Sequence, residues 1–422
     1  MPAIELIAAA VFALALLHAF STGAFVSLAH RHPRHAGVLH LLGEIEIVFG
    51  LWALVLLGAL ALVQGIDAAI AYAETRRYTE PLFVFVVMVV AGSRPVLQAV
   101  TALVMAAAGR LPLTPVLAEV WLCLTLLPLL GSLVTEPAAM TLAALLLAPR
   151  VFRSQLPERL KYGALGVLFV NVSIGGTFTS FAAPPVLMVA AAWQWDSVFM
   201  ATTFGWKAGL AVVVNASVLT WLMRRHLPAA NGAASDREAG APIHGSVPWH
   251  VSFLHLALLA AVIAAAHHPV LFIAVFLLFL AGTAAYPRHH GRLILKEALM
   301  VAVFLAGLVV LGGLQQWWLQ PIVTALDPLA LFFGALGLTA VTDNAAITYL
   351  GSLIDGISAD AQYMLVAGAM AGGGLTVIAN APNPAGAALL KSGFAGGSIG
   401  AGGLLAGALL PTAVAAAAFL LL

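Results

Sequence analysis

Two carboxylates stand in matched stretches of otherwise apolar sequence. Thr135-Glu136-Pro137-Ala138-Ala139-Met140-Thr141 pairs with Thr342-Asp343-Asn344-Ala345-Ala346-Ile347-Thr348, identical or acid-for-acid at five of seven positions. A carboxylate kept from water favours its protonated form, and its oxygens are hard ligands for a hard cation. Such an acid can be contested by H⁺ and Na⁺, which is the chemical basis of exchange at a single group. The plainer alternative, a carboxylate that only caps a short helix, applies to each acid alone. Two acids at matched positions weigh against it.

A second pair of motifs follows in the same order. Gly175-Gly176-Thr177-Phe178-Thr179 matches Gly372-Gly373-Gly374-Leu375-Thr376, and each leads into a small, proline-containing stretch, Ala182-Ala183-Pro184-Pro185 and Ala379-Asn380-Ala381-Pro382. Glycines permit a tight turn. The hydroxyls of Thr177, Thr179, Ser180 and Thr376 and the amides of Asn380 and Asn383 offer oxygen ligands. Prolines 184, 185, 382 and 384 can start a new half-helix without an N–H donor. A weaker echo places Glu119 seventeen residues before Glu136 and Asp327 sixteen before Asp343.

The elements that must position these groups follow from composition. Of 422 residues, 62% are hydrophobic and 8% charged, with a mean hydropathy of +1.05. About 25% charge is usual for a soluble domain, so a soluble enzyme, a nucleic-acid binder and a disordered chain are excluded. Apolar runs near the length of a bilayer-spanning helix recur throughout, and the ten-residue alternation of a membrane barrel is lacking. The chain reads as an all-α polytopic membrane protein.

A polar linker, 224–250, divides it into two membrane repeats, 1–223 and 251–422. Spans are expected at 3–29, 37–64, 82–109, 158–192 and 197–223, then at 251–266, 269–286, 293–314, 361–391 and 396–421. The positive-inside rule sets the orientation. With the N-terminus outside, fourteen of the eighteen Lys and Arg residues fall inside, Arg76 and Arg77 fall outside, and Arg94 and Lys207 lie within spans. Arg110 and the group Arg150, Arg153, Arg159 and Lys161 must then share one side, so 115–148 is a re-entrant hairpin with Glu136 near its tip. The Lys- and Arg-free interval 297–390 makes 328–355 a second hairpin, entering from outside. Each half thus has five spans and one hairpin, with 158–192 and 361–391 as broken helices. The halves run in opposite senses, an inverted-topology repeat of the kind secondary transporters use, with broken helices meeting at the midplane. Both termini are expected outside.

Other polar residues are weighed against plainer roles. Lys207 is a counter-ion to an acid or a side chain snorkelling to a surface. Arg94 pairs with Glu44 or Glu46, or serves the site. His30, His32, His35, His40, His267, His268, His289 and His290 lie in loops or at span ends, where they shape pH response rather than hold a metal. The single cysteine, Cys123, forms no internal disulfide and reads as a buried small hydrophobe. No nucleophile constellation, metal set or Walker motif points to an enzyme or a primary pump.

The acidic "TDNAAIT" tip and the Gly-Gly-x-x-Thr…Pro turns resemble the ion transporter superfamily, closest in style to a sodium/proton antiporter family with an Asp-Asn hairpin tip. The resemblance implies two repeats, each with a re-entrant hairpin and an unwound helix, often in a homodimer that moves substrate by an elevator-like shift. It points to Asp343, Asn344, Thr348, Thr376 and Asn380 in one half, and to Glu136, Thr141, Thr177 and Thr179 in the other. Carboxylate carriers of that superfamily carry Ser-Asn-Thr at the tip. Here both tips carry an acid, with Pro137 in place of Asn in the first, which disfavours an anionic substrate. The expectation is a Na⁺/H⁺ antiporter of a bacterial-type inner membrane, with small ions as its only ligands and no cofactor. The alternative is a Na⁺- or H⁺-coupled carrier of a carboxylate or oxyanion, with Lys207 or Arg94 facing the substrate.

Overall fold

The computed structural model describes residues 3–227 and 247–422, so most of the expected linker lies outside the described residues. Within them the chain is helical, with no strand. Chain order gives α1 (Ala3–Arg31), α2 (Ala36–Leu42), α3 (Ile45–Gln64), α4 (Ile66–Glu74), α5 (Thr79–Ala91) and α6 (Arg94–Ala108). Next come α7 (Pro115–Leu124), α8 (Leu126–Val134), α9 (Glu136–Leu147), α10 (Glu158–Gly175), α11 (Pro184–Trp193), α12 (Ser197–Met200) and α13 (Trp206–Met223). After residue 247 follow α14 (Trp249–Ala264), α15 (Pro269–Ala285), α16 (Leu295–Gly312), α17 (Gln316–Ala325) and α18 (Pro328–Thr339). The chain ends with α19 (Asn344–Ser352), α20 (Ala359–Gly372), α21 (Asn383–Leu390) and α22 (Ala401–Leu421).

Helix starts are written in the sequence. Proline occupies the first turn of α7, α9, α11, α15, α18 and α21, where its missing N–H costs nothing. Asp196, Asp327, Asp343 and Ser358 cap α12, α18, α19 and α20 through their side chains. Among the described residues four helices are long and apolar enough to cross a bilayer: Ile47–Gln64, Ser197–Met223, Leu295–Gly312 and Ala401–Leu421. Three bent pairs raise the total to as many as seven if each is one span. Large apolar side chains face outward along these helices and along the shorter α15, including Leu54, Leu62, Leu410, Val270 and Leu278, as a lipid-facing surface requires.

Several expected segments are divided. The span 37–64 breaks at Gly43 and Glu44 into α2 and α3. The span 82–109 breaks at Gly92 and Ser93 into α5 and α6, bent by 65°. Pro95 cannot donate to the preceding turn and starts a new helix instead. The arm expected over 115–134 is two helices bent by 41° at Thr125. Two short helices, α4 and α17, occupy stretches expected as loops. Tyr72 ties α4 down by donating to Val310 O of α16 at 2.6 Å.

Packing divides the buried side chains into two large clusters. One joins α1, α3, α5–α9, α14–α16, α19 and α21; the other is centred on α18 and α20, and α10, α11, α13 and α22 contribute to both. The most extensive pairings are α10 with α22, α18 with α20, and α16 with α3. Contacts between the chain's halves are many, and two of them, α11 on α19 and α21 on α9, exchange corresponding elements. These crossed contacts bring the two acids into one region.

Candidate functional site

Glu136 opens α9 and is fully buried. The residue before it, Thr135, has φ 81° and ψ 150°. That conformation is foreign to a β-branched residue and stores roughly 1–3 kcal/mol of strain. Glu136 Oε2 accepts from Asn380 Nδ2 at 2.8 Å. Its other oxygen, Oε1, is buried with no hydrogen-bond partner. Gly176 makes room for that oxygen, since a Cβ there would stand 2.6 Å from it. The carboxylate of one half is therefore held by an amide of the other, with one oxygen left over.

Asp343 caps α19, accepting from Ala345 N at 2.7 Å and Ala346 N at 3.3 Å. Those donors and the helix N-terminus stabilise its negative charge. The next residue, Asn344, donates its backbone N–H to Ala379 O at 3.1 Å and its amide to Ser173 Oγ at 3.4 Å. Gly373 packs against Ser173 and Asn344, where a Cβ would collide with both side chains. Asn383 spends its amide protons on Gly373 O at 2.8 Å and Thr376 O at 2.9 Å. Its backbone N–H reaches Asn380 O at 3.0 Å. Glu136, Asn380, Asn383, Ser173 and Asn344 so form one connected buried group.

The hydrogen bonding of this group is lopsided. The side-chain amides of Asn344 and Asn380 each donate one hydrogen bond within the protein, and that of Asn383 donates two. The amide oxygens of all three, with Glu136 Oε1 and Thr135 Oγ1, are buried without a partner among the described residues. Buried polar atoms are normally satisfied. A cluster of orphans that are all oxygens asks for a cation or a proton, and offers an anion little.

The expected threonines support this geometry. Thr179 donates to Ser132 O at 2.7 Å and Thr376 to Ala340 O at 2.8 Å. The two occupy matched motif positions, and each ties its unwound segment to the arm that leads to the acid. Thr177 and Thr348 are buried and donate back to their own helices, to Ile174 O at 2.7 Å and Ala345 O at 3.2 Å. Thr141 lies farther along α9, half-buried.

Lys207 and Arg94 are engaged elsewhere. Lys207 Nζ donates to Tyr363 Oη at 2.9 Å, and that hydroxyl donates to Phe419 O at 2.7 Å. Arg94 lies against Gly291, with its charge in range of His289. The echoed acids part company as well. Glu119 forms an ion pair with Arg150 at 3.1 Å, whereas Asp327 caps α18.

Sequence reasoning passed over Ser173, Ser132 and Asn171. Ser132 Oγ donates to Gly175 O at 2.7 Å and accepts from Phe178 N, lacing α8 to the unwound turn. Asn171 links α10 to Leu124 O and Val212 O, and accepts from Asn215 at 3.0 Å. The signal was available: an Asn and a Ser inside an apolar helix need a hydrogen-bond partner. Among the described residues no group of three or more His, Cys, Asp or Glu could hold a resident metal.

Comparison with known proteins agrees with the character of this site. No curated protein matches the chain. The family described as "Putative Na+/H+ antiporter" matches residues 3–422. With nearly its whole length matched, the chain belongs to that family of membrane antiporters.

Proposed function

We propose that this protein exchanges Na⁺, or a related alkali cation, for protons at the buried group around Glu136 and Asp343. One observation carries the reading: four buried carbonyl-type oxygens, from Glu136, Asn344, Asn380 and Asn383, have no donor, while each neighbouring amide already donates within the protein. A dehydrated cation supplies what those oxygens lack. A proton on Glu136 supplies part of it, so the two compete. Asp343 brings a second carboxylate to the neighbouring helix end. In this reading 115–148 and 328–355 are re-entrant hairpins and the halves form an inverted-topology repeat. The crossed contacts of α11 on α19 and α21 on α9 support that symmetry. Both termini lie outside a bacterial-type inner membrane, the working unit is a homodimer, and no cofactor or enzymatic step is involved.

The anion-carrier reading has less support, since Lys207 donates to Tyr363 Oη rather than to the buried group. The deciding experiment adds Na⁺, Li⁺ and K⁺ in turn to proteoliposomes with an internally acid pH dye. Dequenching by Na⁺ that vanishes in Asp343→Asn and Glu136→Gln is expected. Unchanged exchange in both folded variants would remove the acids from the mechanism.

A further inference from the structure

Far from the acids, at the end of the molecule where Arg94 and Arg288 gather, two histidines meet. His255 lies in the second turn of α14 and is 4% exposed, with its ring edge-on to Phe279. His290 lies in the turn between α15 and α16. Their Nε2 atoms are 2.9 Å apart. His255 Nδ1 faces Val251 O at 2.8 Å, and His290 Nδ1 faces Tyr286 O at 2.7 Å.

Counting hydrogens decides what this chain of atoms contains. From Val251 O through both rings to Tyr286 O there are three short contacts. Each needs one hydrogen. The carbonyls bring none, and a neutral imidazole brings one. Two neutral rings leave one contact as lone pair against lone pair. We propose that His255 and His290 form a proton-binding site, separate from the two acids, that holds a third proton between their Nε2 atoms.

The surroundings decide how firmly. On α14 the neighbouring titratable group is His250; α15 carries none. α6 contributes Arg94, and the 286–291 turn contributes Arg288 and His289. Glu80 of α5 interacts with His267 instead. No carboxylate faces the pair from these elements. The third proton is held by hydrogen bonding against positive neighbours, so it leaves as pH rises. The rings must then part, loosening the turn from α14. That turn leads into α16, whose Val309 O accepts from Tyr349 of α19 at 3.0 Å. The site thus gives the α19 region a reading of pH through a group other than the exchanged one.

The test needs no transport, so it stands apart from the antiport reading. Histidine-¹⁵N spectra of the purified protein, assigned with His255→Asn and His290→Gln, count unprotonated ring nitrogens. One for the pair near neutral pH is expected; two would overturn the proposal. The His290→Gln amide can itself donate to His255 Nε2 without an added proton.

Discussion

Asn380 donates a hydrogen bond to one oxygen of Glu136 and keeps its own carbonyl oxygen unpaired. A hydrogen bond to a charged group is worth about 1.5–3 kcal/mol. Asn380→Ala removes both that bond and a ligand. Apparent Na⁺ affinity should fall by at least about tenfold, read from the cation dependence of dye dequenching. Gly176 tests the other oxygen. Its substitution by Ala would place a methyl 2.6 Å from Glu136 Oε1. Gly176→Ala is expected to abolish exchange while the protein still purifies as a monodisperse species; wild-type activity would mean the carboxylate is not confined there. Both acids were legible because they occur twice, in order, and Asn344 and Asn380 because they lie inside the repeated motifs. Ser173 and Ser132 were not, because each acts alone inside an apolar run, and a lone serine carries no pattern.

At the scale of the elements, the turns around Glu136 carry the strain and the buried charge. Thr135 sits at φ 81° where glycine would be relaxed. Thr135→Gly should raise the melting temperature, since it releases strain of roughly 1–3 kcal/mol, and should lower the exchange rate by freeing the Glu136 backbone. A fall in melting temperature would show that the threonine is held by contacts worth more than its strain. The Glu119–Arg150 pair fastens α7 to the end of the α9 arm, with both side chains largely buried. Removing one partner of a buried pair costs about 3–5 kcal/mol, whereas an apolar replacement of both is often neutral. Arg150→Met should therefore destabilise strongly, and Glu119→Leu with Arg150→Met should recover most of the loss in thermal denaturation. Helix existence was legible from apolar runs and prolines. The bend at Ser93 was not, because apolar runs on both sides of Gly92-Ser93-Arg94-Pro95 together have the length of one span. The helices α4 and α17 escaped for the opposite reason: each is short and holds too many polar residues to show as a span.

Across the whole molecule, the halves are interleaved. α21 lies on α9 closely enough that a Cβ at Gly386 would stand 2.6 Å from Met140 Sδ. In a Cys123→Ser background, Met140→Cys with Gly386→Cys should cross-link on oxidation. If exchange requires these helices to shift, activity should stop and return on reduction; cross-linking with full activity would confine the motion to other contacts. Because the acid of one half is gripped by an amide of the other, neither half's site residues are free to drift independently. A Glu136→Asp replacement shortens the reach to Asn380 by a methylene, and only a longer amide at 380 restores it. Among descendants of this sequence, positions 136 and 380 should therefore be inherited as a matched pair, although 244 residues separate them.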